Sequence, residues 1–113
     1  MSMQKAFAAA GKSILVVANP TAPLGVQAAP TGVSRKRHYR VYNDGNEAVA
    51  LGWGATDSAA QTNADFPTGG NPKDSIVIPP GDVEIFTAPA DSYWSGKSVS
   101  VNCNVYITPG EGV

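Results

Sequence analysis

The chain has 113 residues, of which 42% are hydrophobic and 15% are charged, and its formal net charge at pH 7 is -1. This composition is that of one folded domain with a weakly charged surface, and it excludes a long disordered protein. A net charge this close to zero provides no field that would steer the chain to nucleic acid or to an anionic membrane, so we expect neither as a partner.

Residues 1–12 predict a flexible N-terminal arm with a short helical turn at residues 4–10, and residues 13–113 predict a single β domain. Lys12 interrupts the apolar start before a signal-peptide core of usual length develops, so we expect a protein made in the cytoplasm. No run approaches the ~18 apolar residues of a membrane span.

Short strands are predicted along most of the remaining chain. In order they are residues 13–18, 24–29, 38–43, 47–55, 74–78 and 82–87. Asp44-Gly45 between the third and fourth strands is typical of a type I′ hairpin, because both central residues of that turn need positive φ. In residues 82–87, Val83 and Ile85 are expected to face the core.

Residues 56–73 are polar and show no periodicity, so we expect a long surface loop. Asp57, Asp65 and Asp74 in or beside it carry the oxygen ligands that calcium prefers, but their spacing matches no EF-hand. We interpret these side chains as solvated residues that form local turns.

Strict alternation from residue 98 to residue 107 predicts a last strand, with Val99, Val101, Cys103, Val105 and Ile107 in the core. Thr108-Pro109 should end it, because proline cannot donate to a sheet ladder. The total of about seven or eight strands predicts an all-β fold, an antiparallel β-sandwich that is jelly-roll-like or Ig-like.

The residues that carry most enzyme chemistry are scarce. His38 and Cys103 are the only histidine and cysteine, too few for a structural zinc site without carboxylates. His38 stands among basic residues and not beside a carboxylate that could orient it as a base. We therefore expect no catalytic residues, no cofactor and no metal, and a buried, inert Cys103 thiol.

Partner binding is a hypothesis for one basic cluster and one aromatic residue. The candidates are Arg35, Lys36, Arg37, Arg40 and Trp94. For the cluster, a solvated strand face is the favoured interpretation; if it does bind a partner, an acidic protein is favoured over nucleic acid.

A sugar-binding platform of Trp53, Tyr93 and Trp94 is a further alternative. Burial or a subunit interface is the simpler explanation of these three aromatic residues and is favoured over the platform.

Several stretches resemble small structural proteins from the head modules of tailed phages and prophages. They are residues 37–45 (RHYRVYNDG) leading to 50–54 (ALGWG), residues 78–86 (IPPGDVEIF) and residues 105–113 (VYITPGEGV). The resemblance covers about the last two thirds of the chain and involves no catalytic motif.

This resemblance implies a virion structural protein, with a decoration (cement) protein at capsid subunit junctions as the favoured role. The expected partners are the major capsid protein and copies of the chain itself, as a homo-oligomer on the virion capsid surface. Residues 1–34 would then form an arm that lies across a neighbouring subunit. Two alternatives remain: a head–tail connector, neck or fibre-base protein, and a carbohydrate- or receptor-binding module.

Overall fold

The computed structural model describes residues 7–9, 11–28 and 38–111, which form two antiparallel sheets packed face to face. This confirms the predicted all-β sandwich. The strands are β1 (Ala8–Ala9), β2 (Ile14–Ala18), β3 (Val26–Gln27), β4 (His38–Asn43), β5 (Val49–Gly54), β6 (Ser75–Ile78), β7 (Val83–Thr87), β8 (Tyr93–Lys97) and β9 (Cys103–Glu111), with a helix α1 (Asp57–Asn63) after β5.

The strand order is that of a jelly roll and not of an Ig domain. The first sheet contains β9 between β4 and the two short neighbours β1 and β2, with β7 beyond β4; the second sheet has the order β3-β8-β5-β6. Four antiparallel pairs are nested in the sequence, as they would be if the chain folded back on itself once as a single long hairpin. They are β2·β9, β3·β8, β4·β7 and β5·β6. Rolling that hairpin up brings β4 beside β9 and β5 beside β8.

This topology makes the hairpin predicted at Asp44-Gly45 wrong. β4 belongs to the first sheet and β5 to the second, so Asp44-Gly45 lies in a crossover between sheets. Gly45 is not among the glycines with positive φ. Asn43 anchors the crossover, because its buried side-chain amide donates to the carbonyls of Glu47 (2.9 Å) and Ile78 (3.0 Å).

The predicted long loop contains a helix. The hydroxyl of Thr56 accepts from the backbone N–H of Ala59 (3.1 Å) and caps the first turn of α1. The helix packs on the outside of the second sheet, so closely that a Cβ at Gly52 would meet the backbone of Ala64. This contact buries the face of β5 that lies away from the sandwich core.

The last strand begins later and ends later than predicted. Residues 98–102 are outside β9, and Val99 and Val101 are 64% and 50% exposed instead of buried. β9 continues through Pro109, which is fully buried. On one side, Pro109 is registered opposite Tyr39 of β4.

The core lies between the sheets and confirms most of the predicted inward positions. Trp94 is its largest side chain, with its ring 4.9 Å from Tyr39 and 5.7 Å from Trp53. The other buried members are Val16, Ala18, Ala28, Val41, Val49, Leu51, Ile78, Ala88, Cys103, Val105 and Ile107.

Two smaller predictions are corrected by the register. Val83 and Ile85 lie opposite Tyr42 and Arg40 on the outer face of the first sheet, so they do not face the core. Part of the predicted arm is a strand, because Ala8–Ala9 pairs with β9. Residues 1–6 and 10 of that arm lie outside the described residues.

Candidate interaction surfaces

The chemically reactive side chains are dispersed through the described residues. Cys103 is a free thiol, buried in the core at one end of β9. His38 of β4 is registered opposite Gly110 of β9. Gly110 lies seven residues after Cys103 in β9, or about 23 Å away at the usual rise per residue. A Cys–His pair is therefore absent, and the described residues contain no group of three or more His, Cys, Asp or Glu that could hold a metal ion.

The acidic residues considered for calcium do not form a site. Asp65 instead pairs with Lys97 (2.9 Å) and Lys73 (3.2 Å). The hydrogen bond from Lys97, with a further one from Lys73, lowers the pKa of Asp65. Asp65 thus ties the segment after α1 to β8.

The predicted partner-binding residues have different outcomes. Arg35, Lys36 and Arg37 lie outside the described residues. Arg40 is exposed on the outer face of β4, where a partner could contact it. Trp94 is 0% exposed and fills the core, so its prediction as a partner-binding residue is wrong.

Burial of Trp94 also removes one member of the predicted sugar platform. Trp53 and Tyr93 are half-buried and line a groove of about 350 Å³ together with Gln27 and Asp91. The amide of Gln27 already donates to the backbone carbonyl of Asp91 (3.2 Å). This hydrogen bond uses one of the two N–H groups of the Gln27 amide.

A first interaction surface crosses the outer face of the first sheet. Leu15 is registered opposite Tyr106, Tyr106 opposite Tyr42, and Tyr42 opposite Val83. These four residues, here named the apolar row, span four adjacent strands. Leu15, Tyr106 and Val83 are each 39–44% exposed, and the rings of Tyr42 and Tyr106 stack with centroids 6.4 Å apart. Contiguous apolar side chains on a sheet exterior make this row a candidate for protein contact.

Two opposite charges flank the apolar row on β4 and just beyond its end. Arg40 lies two residues before Tyr42, and Asp44 lies two residues after it. The backbone N–H of Asp44 donates to Asn104 (2.9 Å), which continues the ladder with β9. The Tyr42 hydroxyl donates to the Asp44 carboxylate (3.0 Å), and this hydrogen bond raises the pKa of Tyr42.

A second interaction surface is the bend at residues 98–102, here named the Glu47 loop. The Glu47 carboxylate accepts hydrogen bonds from the backbone N–H groups of Ser100 (2.8 Å) and Val101 (3.1 Å) and from the Ser100 hydroxyl. These bonds hold Val99 and Val101 in one arrangement although both side chains are at least half exposed. They also lower the pKa of Glu47 to about 2, with the bond from the Ser100 hydroxyl as the largest cause.

Sequence reasoning missed both surfaces, for different reasons. The apolar row joins residues from four separate strands, and only the sheet register brings them together. The Glu47 loop depends on a carboxylate 53 residues away from Ser100 in the chain. The alternation of Val99 and Val101 with polar residues carries no local signal that distinguishes this loop from a strand.

Comparisons with known proteins provide no match, so a functional assignment depends on the interaction surfaces. No family model, curated protein or solved structure matches the chain. Among the described residues, none of the helical segments has the length and apolar character needed to cross a bilayer.

Proposed function

We propose that this protein is a virion structural protein of a tailed phage or prophage, a decoration protein that binds the capsid exterior at subunit junctions and stabilises the shell. It would act through the surface it covers on the major capsid protein and on copies of itself. No chemical step belongs to this function.

The observation that supports this proposal is the presence of two separate apolar surfaces on one compact sandwich. A protein that joins subunits must contact more than one neighbour at once. The apolar row belongs to the outer face of the first sheet, whereas the Glu47 loop projects where β4 ends and β9 begins. Both are built from ordered backbone, so little conformational entropy is lost on binding.

Stabilisation of the shell would follow from mass action. A protein that binds the assembled shell but not its dispersed subunits shifts the equilibrium toward the shell. Repetition of the same contact around a symmetric junction strengthens each individual attachment. The jelly-roll topology is consistent with this role, since viral capsid proteins use it, although lectin domains use it as well.

Copy number in purified particles tests the proposal and separates it from its closest alternatives. Particles from cells that produce this chain would be purified by density gradient, and the molar ratio of the chain to the major shell protein would be measured by quantitative mass spectrometry. A decoration protein is expected in hundreds of copies per particle, because every equivalent junction offers a site.

A dozen or fewer copies would contradict decoration and favour a connector, neck or fibre-base protein. Absence of the chain from particles of otherwise complete composition would overturn the virion assignment. Binding of sugars by the free protein together with that absence would favour the carbohydrate-binding alternative, with the groove beside Trp53 as its site.

A further inference from the structure

We propose that the outer face of the first sheet is the interface of a symmetric dimer, in which the apolar row of one copy packs on the apolar row of another. The proposal concerns the chain by itself and does not depend on the virion assignment. It rests on the symmetric placement of Arg40 and Asp44 about the apolar row.

The two charges are related by the geometry of the strand. Arg40 and Asp44 each lie two residues from Tyr42, in opposite directions and on the same face, or about 7 Å along the strand. A twofold axis that lies along the apolar row reverses the strand direction in the second copy. Arg40 of one copy then faces Asp44 of the other, and the reverse pair forms at the same time.

Typical sheet packing allows this contact. Face-to-face sheets lie about 10 Å apart with their strands within about 30° of one another. At about 7 Å from the axis, that angle displaces a facing residue by only about 3–4 Å. An arginine side chain can bridge this distance, and its planar guanidinium matches a carboxylate.

The remaining surface of the face favours the same occupant. Arg40 is the one residue with a Lys, Arg, Asp or Glu side chain at the outward positions of this face. These positions belong to β2, β4, β7 and residues 103–108 of β9. Within the described residues, Arg40 belongs to no ion pair. A second copy supplies the opposite charge at the required position, and an isologous interface supplies it twice.

Charge reversal combined with heterodimer formation tests the dimer. The wild-type protein, Arg40→Asp, Asp44→Arg and the double variant would be compared by sedimentation equilibrium at low salt. The wild type is expected to dimerise, and each single reversal should weaken dimerisation at least about tenfold, because both symmetric pairs become repulsive. The double variant should recover dimerisation, since it exchanges the two charges without removing either pair.

Mixing the two single variants provides an independent measurement. Arg40→Asp places two acids at these positions and Asp44→Arg places two bases, so the mixture should form heterodimers more tightly than either variant forms homodimers. Asp74→Arg, an exposed acid just before β6 in the second sheet, is the matched control and should dimerise as the wild type does.

Three results would overturn the proposal: a wild type that stays monomeric up to millimolar concentration, single reversals that dimerise as the wild type does, or mixed variants that form no heterodimer. Thermal unfolding of each variant, monitored by circular dichroism, shows that the comparison is made between folded proteins.

Discussion

At the scale of single residues, Glu47 determines the shape of the Glu47 loop, the one of the two surfaces that we propose contacts the capsid. Its carboxylate accepts two backbone N–H groups and one hydroxyl from residues 100 and 101. These N–H groups lie in a bend, where no neighbouring strand accepts from them. One ionised side chain therefore replaces a sheet ladder in holding the Glu47 loop.

Protonation or neutralisation of Glu47 is expected to release the Glu47 loop. Because its pKa is lowered from 4.5 to about 2, its contribution is complete above pH about 4.5 and is lost as the pH falls through about 2. The backbone amide signals of Ser100 and Val101 should titrate in NMR spectra with a midpoint near 2. In Glu47→Gln these amides should exchange with solvent faster at neutral pH, and their low-pH titration should disappear.

Glu84→Gln is the control, because Glu84 is an exposed glutamate that makes no contact with the Glu47 loop. The hydrogen bond with Asp82 raises the pKa of Glu84, so its environment is opposite to that of Glu47. Its substitution should leave the amides of Ser100 and Val101 unchanged. A titration midpoint of these amides near 4.5 in the wild type would contradict the hydrogen-bonding arrangement.

At the scale of elements, the packing of α1 against β5 depends on the absence of a side chain at Gly52. A Cβ there would meet the backbone of Ala64 and Asn63, which cannot move aside as a flexible side chain would. We expect Gly52→Ala to lower the free energy of unfolding by about 1–3 kcal/mol, as overpacking typically does. Urea unfolding monitored by tryptophan fluorescence measures the change.

Gly69→Ala serves as the comparison, because no atom lies within 4 Å of a Cβ built at Gly69. Its effect should stay within about 0.5 kcal/mol. Equal stability of the two variants would contradict the close contact between α1 and the second sheet.

Local sequence signals predicted where the strands lie better than they predicted which strands pair with one another. Residues 38–43 were predicted as a strand with the bounds that β4 has, because β-branched and aromatic residues alternate there. The pairing of β4 with β7 and β9 depends on contacts more than 40 residues away in the chain. Asp44-Gly45 is compatible with a tight hairpin, but the rolled topology requires a crossover at that point.

The helix was missed although the sequence contains a signal for it. Thr56 is an N-cap residue and Asp57 adds a negative charge to the first turn, which is favourable near the positive end of a helix. The apolar positions of α1 are alanines, which give too weak a pattern to distinguish a short packed helix from a loop. The helix can pack closely on β5 because Gly52 and Gly54 have no side chains that would hold it away.

At the scale of the whole molecule, the protein combines a core buried between two sheets with several apolar side chains on its exterior. The sequence predicted the sandwich and most of its inward residues, because burial between two sheets imposes a period of two. It did not predict which apolar residues stay outside. Val99 and Val101 have the same pattern as Val105 and Ile107, and only the tertiary structure separates the exposed pair from the buried one.

Attachment of the purified protein to shells that lack it tests the central claim most directly. The variant Val99→Asp/Val101→Asp places two carboxylates on the Glu47 loop, whereas Val77→Asp changes a valine of similar exposure (46%) on β6 and serves as the control. Occupancy would be measured by co-sedimentation with the shells. We predict saturable binding for the wild type and Val77→Asp and at least about tenfold weaker binding for the double variant, because a buried unpaired charge is costly. Equal binding by all three proteins, or no binding by the wild type, would contradict the account.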